Sequence, residues 1–121
     1  MKTGRKISGG KYKRHSKKKK YELPGLKRIV KLKETKKKTL RTIGGNKKIV
    51  LLGANTINII DIKTKKSKNV KIKNVLETPS NRFLARQNVL TKGAIVETEI
   101  GKARITNRPS QEGIVQGILI E

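Results

Sequence analysis

Apolar positions are sparse up to residue 48 and crowd together after it. Ile49-Val50-Leu51-Leu52 is a continuous apolar run, and Ile57, Ile59 and Ile60 follow after Gly53-Ala54-Asn55. Two short strands are expected there, the first ended by Gly53. Val70 and Ile72 alternate with Lys71 and Lys73, the period-2 signature of a half-buried strand. Lys63 to Lys68 between them reads as a basic loop. Thr78-Pro79-Ser80-Asn81 is a break, after which Arg82 to Leu90 holds a helical turn.

The last third has the clearest pattern. Ala94 to Thr98 and Lys102 to Thr106 form a hairpin around Gly101. With Val96 and Thr98 on the face of Ala103 and Ile105, Glu97 and Glu99 share the other face with Lys102 and Arg104. That matching needs an even-length loop, Ile100-Gly101 or Glu99 to Lys102. Opposite charges across strands then contribute about 0.2–1 kcal/mol per pair. Gly113 precedes a final strand, Ile114 to Ile120, in which Gly117 marks a bulge or a close approach. Short strands with a turn signal about every ten residues imply a small barrel or sandwich.

The first third reads differently. Met1 to Lys20 carries ten Lys or Arg and no acid. It has too few apolar residues to offset the entropy of ordering, so by itself it is expected to be disordered, a strip of charge able to thread between RNA helices. Glu22-Leu23-Pro24-Gly25 reads as a turn. Leu26, Ile29 and Val30 fall at helical spacing, although Leu32 breaks it, and the segment fits an extended run equally well. Lys33 to Lys38 reads as a loop, with β structure from Thr39 onward.

At the seam lies Arg41-Thr42-Ile43-Gly44-Gly45-Asn46-Lys47-Lys48. Glycine takes positive φ cheaply and asparagine tolerates it, so Gly44-Gly45-Asn46 is a sharp turn or a place of close backbone approach. With Arg41, Lys47 and Lys48 beside it, a phosphate suits that approach; a plain connecting turn is the simpler alternative.

Charge changes the picture most. The chain has 121 residues, enough for one domain or one domain and a tail, and a net charge of +24. Residues 1–48 hold 20 basic and 2 acidic side chains, and residues 49–121 hold 12 and 6. Self-repulsion of this size is tolerable when a polyanion neutralises it. There is no cysteine, so disulfides and thiolate metal sites are excluded, and His15 alone cannot anchor zinc. No apolar run approaches the ~20 residues of a membrane span, and the basic N-terminus leads into no secretory hydrophobic region.

Catalysis finds little support. Glu97 and Glu99 are explained by cross-strand basic partners, and Asp61 is the one aspartate, which makes a carboxylate cluster for Mg²⁺ improbable. There is no Walker A or dinucleotide-binding glycine pattern. No catalytic residue, metal site, cofactor or small-molecule substrate is expected, and no membrane partner. Tyr12, Tyr21 and Phe83 are the aromatic residues, so a stacking surface for single strands is almost missing. Recognition should be of phosphate backbone and shape.

Lys6-Ile7-Ser8-Gly9-Gly10, Lys17 to Leu23 (KKKKYEL), Arg41 to Leu52 around Gly-Gly-Asn, and the block from Asn81-Arg82 through Thr91-Lys92-Gly93-Ala94 and Gly101-Lys102-Ala103-Arg104 to Arg108-Pro109 and Gly113 occur in order along the chain. With these motifs the chain resembles the small-subunit ribosomal protein number eight of the archaeal and eukaryotic type, unrelated to the bacterial protein of that number. Its compact length is similar to the archaeal form. It departs from the family at its extreme N-terminus, which lacks a tryptophan-containing start, and over Pro24 to Leu32, to which no role is carried over.

The resemblance implies a β-barrel on the small ribosomal subunit, a basic N-terminal extension reaching into ribosomal RNA, and neither catalysis nor cofactor. The expectation is therefore a mainly β protein: a small β-barrel over 41–121 with a long basic, intrinsically disordered extension over 1–40. Its partners would be small-subunit ribosomal RNA and neighbouring ribosomal proteins, in the cytoplasm within the ribosome. RNA contacts are expected from Arg5, Lys6, Gly9, Gly10, Lys11, Lys13, Arg14 and Lys17, Lys18, Lys19, Lys20 of the extension. The seam adds Arg41, Gly44, Gly45, Asn46, Lys47 and Lys48, and a basic barrel surface adds Arg82, Arg86, Lys92, Arg104 and Arg108. The rivals are a chromatin-type general nucleic-acid binder and an RNA-processing enzyme using Glu97, Glu99 or Asp61.

Overall fold

The computed structural model describes residues 4–12 and 16–120. Among these residues eight strands and one short α-helix follow one another: β1 (Lys31–Leu32), β2 (Lys36–Arg41), β3 (Lys47–Ala54), β4 (Thr56–Ile60), β5 (Ser67–Glu77), α1 (Arg82–Arg86), β6 (Ile95–Thr98), β7 (Lys102–Ile105) and β8 (Gln116–Ile120). β4 to β8 close into a five-stranded barrel, and β1, β3 and β2 form a small sheet in that order. Five strands that alternate in direction leave the first and last running the same way. The closing pair β4–β8 is accordingly parallel, whereas the other four barrel pairs are antiparallel.

Alternation builds the barrel interior. Ile57 and Ile59 of β4, Val96 and Thr98 of β6, and Ala103 and Ile105 of β7 are buried, while the residues between them are wholly or partly exposed. In β5 the buried set runs Val70, Ile72 and then Val75, changing phase by one. The register with β6 shifts between Ile72 and Asn74, and an extra residue there turns the next side chain inward.

Gly117 is where the barrel wall is tightest. A Cβ built on it would lie 2.8 Å from Ile57 Cδ1 and 2.9 Å from the Arg104 carbonyl oxygen. The close-approach reading of this glycine holds. The β6–β7 hairpin also has the expected even loop and faces. Its pairs are Ile95 with Arg104, Val96 with Ala103 and Glu97 with Lys102. The turn therefore centres on Glu99-Ile100, one residue earlier than expected, and Glu99 belongs to the turn rather than to the ladder.

Of the helical and extended readings of Leu26 to Val30, the helix does not form: the run is irregular, with Leu26 and Ile29 facing solvent and Val30 buried in the core. Two local expectations are corrected. Lys36 to Lys38 is strand, not loop, because hydrogen bonding to β3 rather than burial orders it. Gly53 does not end its strand: it pairs with both Lys31 and Lys36 and sits where a Cβ would meet the Glu34 carbonyl oxygen at 2.9 Å.

Candidate nucleic-acid interface

The β2–β3 hairpin carries six cations, Lys36, Lys37, Lys38, Arg41, Lys47 and Lys48, and no acid. Its turn, Ile43–Gly45, is tight and kinked, with Gly44 and Gly45 both at φ +76°. The Thr42 N–H and Oγ1 both donate to the Asn46 carbonyl, at 2.7 and 3.1 Å, and Asn46 Nδ2 donates to the Ile43 carbonyl at 3.3 Å. These bonds fix the turn from within. Gly44, Gly45 and Asn46 thus connect two strands, and the same geometry presents bare backbone to solvent. Arg41 and Lys47 stand directly opposite each other at the turn end of the ladder, both exposed. Lys48 is partly buried, its amine donating to Gln111 Oε1.

A loop at 107–113 braces this hairpin. The Leu51 N–H donates to the Pro109 carbonyl at 3.2 Å, and Arg28 Nε donates to the Ser110 carbonyl at 3.2 Å. Arg108 is exposed on this loop. Within it, Asn107 donates through Nδ2 to Ile114 O at 2.8 Å and to Glu112 Oε2 at 3.0 Å, and accepts the Gln116 N–H at 3.0 Å.

A second group of cations lies on the barrel wall. Arg82 and Arg86 sit one turn apart on α1 and line a groove with Lys102, Leu76, Glu77 and Ile95. Asn81 caps α1 by accepting the Phe83 N–H at 3.0 Å. Arg104 stands on the outer face of β7, between Ile95 and Ile118 in the ladder. Lys92 is exposed in the turn before Gly93, outside that groove. The five barrel cations therefore occupy more than one patch.

In the N-terminal segment Arg5 and Lys11 form an antiparallel bridge. Lys6 N–H donates to the Gly10 carbonyl at 2.8 Å, and Gly9, at φ +78°, makes the turn. Lys6 lies 5.8 Å from the Tyr12 ring centroid and Lys19 lies 5.9 Å from that of Tyr21. Lys17 to Lys20 are exposed and lead into a 3-10 turn, Lys20–Glu22, where the Glu22 carboxylate accepts the Lys19 N–H at 2.9 Å. Lys13 and Arg14 lie outside the described residues.

Two cationic groups escaped the sequence reading as sites. Lys36, Lys37 and Lys38 line the free edge of β2, and Lys65, Lys66 and Lys68 lie in or beside the β4–β5 turn. An unbroken lysine run was the available signal for the first. Asp61 organises the second group, accepting the Thr64 hydroxyl at 2.7 Å and the Lys63 N–H at 2.9 Å. The Thr64 hydrogen bond, then the Lys63 amide, lowers its pKa below the ordinary aspartate value of 3.8. Glu97 faces Lys102 across the ladder, a structural pairing. Among the described residues no three His, Asp or Glu side chains group as a metal site, and no helix is long and apolar enough to cross a membrane.

Residues 1–120, all but the last residue of the chain, match the family described as ribosomal protein S8e. The chain belongs to the ribosomal protein S8e family. It is similar to the small ribosomal subunit protein eS8 of Methanococcus aeolicus, with 49% identity over 117 residues, covering 96% of this chain and 91% of the relative. The proteins of that name from Nanoarchaeum equitans and Sulfolobus acidocaldarius are 45% and 42% identical, covering 97% and 96% of this chain and 92% and 91% of theirs. The S8e match includes the basic N-terminal segment, the hairpin and the barrel alike, so all three belong to one inherited unit.

Proposed function

We propose that this chain is a structural constituent of the small ribosomal subunit, where it binds and stabilises folded ribosomal RNA. The observation that carries the reading is its membership of the S8e family over essentially its whole length. Members of that family are structural proteins, and this chain is not an enzyme. Its place is the cytoplasm, within the ribosome, with ribosomal RNA and neighbouring ribosomal proteins as partners.

Binding works through backbone and shape. A basic extension over 1–40 threads between RNA segments, and a barrel domain over 41–121 docks through its cations. The last part of the extension, from Val30 on, is anchored against the barrel. Arg5, Lys6, Lys11, Lys13, Arg14 and Lys17 to Lys20 supply phosphate contacts, and Gly9-Gly10 and Gly44-Gly45 allow close backbone approach. Arg82, Arg86, Lys92, Arg104 and Arg108 hold the barrel surface against RNA. The density of cations supports this, because each neutralised phosphate releases counterions and makes affinity steeply salt-dependent.

In-cell ultraviolet crosslinking of the tagged protein, with sequencing of the attached nucleic acid, tests the reading. Crosslinks concentrated at a few positions of small-subunit ribosomal RNA are expected. Crosslinks scattered over DNA or many transcripts would overturn it in favour of a general nucleic-acid binder.

A further inference from the structure

Arg41 and Lys47 are direct cross-strand partners, and like charges in that position repel. The hairpin itself holds no acidic residue between Lys36 and Lys48. The hairpin turn is nonetheless held in one shape by three internal hydrogen bonds. The fold thus fixes two mutually repelling cations about 5 Å apart at Cβ, a spacing suited to one shared anion. From there the pattern continues along one face of β2, since Lys37, Thr39 and Arg41 alternate with the residues of the other face. Two residues of strand advance about 6.8 Å, near the spacing of successive phosphates along a nucleic-acid strand. β2 is an edge strand, so its outer side is open, while β3 is braced on its far side by the Pro109 carbonyl. The α1 groove lacks this uniformity, because Glu77 lies among its cations.

We propose that β2 and the end of the β2–β3 hairpin form a phosphate rail for one strand of folded RNA. Arg41 and Lys47 close jointly on a single phosphate, and Thr39 and Lys37 receive the phosphates that follow. The proposal rests on the RNA-binding reading above and adds a register to it: the hairpin fixes which stretch of backbone lies against the sheet, whereas a flexible tail supplies charge without register.

The test uses the full chain and transcribed small-subunit ribosomal RNA, with Arg41→Gln, Lys47→Gln and the double variant. Two measurements are made: the slope of log affinity against log salt, and the Tm of the RNA-free protein at low salt. The double variant is expected to lose about 0.7–0.9 from the magnitude of the slope, the value for one phosphate, not twice that amount. Each single variant is expected to melt about 1–4 °C above the parent, because removing either charge ends the repulsion. A parent chain that fails to bind this RNA would overturn the RNA-binding reading and the rail with it. A parent that binds, with variants of unchanged slope or with a loss near 1.4–1.8 for the double variant, would overturn the shared phosphate alone. A lowered Tm in both single variants would do the same, showing that the two side chains stabilise the protein by internal contacts.

Discussion

The Leu90 N–H donates to the Val30 carbonyl at 2.8 Å, and both side chains are buried in the barrel core. A residue from the basic first third of the chain therefore completes the hydrophobic core of the second part. Neighbouring bonds extend the connection, with the Leu32 N–H donating to the Asn88 carbonyl at 2.8 Å. We expect Val30→Ala to lower stability by about 1.5–3 kcal/mol through lost burial and the cavity left behind. Urea unfolding checks this as a fall in midpoint at constant m-value. An exposed neighbour, Leu26→Ala, is expected to change little and serves as the control.

Gly117→Ala is expected to lower stability by about 1–3 kcal/mol, because one atom its Cβ meets is the Arg104 carbonyl oxygen at 2.9 Å, which cannot rotate away. Gly93 offers the contrast. It has φ +83° and nothing within 4 Å of a built Cβ, so its replacement by alanine tests backbone conformation alone. Thermal unfolding should rank Gly117→Ala as the more damaging, and adding Ile57→Val beside it should recover part of that loss. If Ile57→Val recovers none, the carbonyl contact dominates.

How much of this is legible in the sequence depends on where burial does the ordering. Val70 and Ile72 announce β5, and Val96, Thr98, Ala103 and Ile105 announce the parity of the β6–β7 hairpin, because the barrel interior selects alternate residues. The turn of that hairpin lies one residue earlier than the pattern implies. Thr98 pairs with Gly101 by its N–H and hydroxyl, at 3.0 and 2.6 Å, and no hydropathy signal reports such bonds. β2 is illegible for a related reason. Lys36, Lys37 and Lys38 are exposed, and only the ladder with β3 makes them a strand. At the candidate interface, Gly44-Gly45 is readable as a turn from composition. The directly opposed Arg41 and Lys47 are not, because register is a property of the pairing and not of the local sequence.

Glu97 and Lys102 oppose each other on the exposed face of β6–β7. Glu97→Gln should cost about 0.2–1 kcal/mol, shrinking as salt rises. The charge-swapped pair Glu97→Lys with Lys102→Glu should restore most of the loss, whereas Glu97→Lys alone places like charges in contact and should be worse than Glu97→Gln. Equal stability for the swapped pair and the single lysine variant would show that Glu97 is held by something other than Lys102.

Asp61 carries a pH dependence of definite sign. Its folded pKa is lowered, chiefly by the Thr64 hydroxyl, so its stabilising effect is present above the unfolded value near 3.8 and is lost as pH falls through the folded value. Asp61→Asn should therefore melt below the parent at pH 7, with the difference shrinking towards pH 2. Tm measured across this range checks the direction, and a difference that grows on acidification would contradict the assignment. Thr64→Val should reduce the same pH dependence by removing its main cause.

Asn107 supports the loop that braces the β2–β3 hairpin, and its amide is fully used: Nδ2 donates to Glu112 and Ile114, and Oδ1 accepts from Gln116. Removing the amide leaves the Ile114 carbonyl and the Gln116 N–H without this partner in a partly buried place. Asn107→Ala should therefore cost about 2–4 kcal/mol, as two or three bonds at about 1–1.5 kcal/mol each. Asn107→Asp keeps the acceptor for Gln116 but turns a donor into a carboxylate facing both a carbonyl and Glu112, so it should be at least as damaging at neutral pH. Acidification should partly rescue that variant, since the introduced carboxyl regains one donor when protonated. Because the loop reaches Leu51 through Pro109 and Lys48 through Gln111, backbone amides of β3 from Lys48 to Leu51 should exchange faster in Asn107→Ala than in the parent. Faster exchange confined to β7 and β8, with β3 unchanged, would show that the loop does not brace the hairpin.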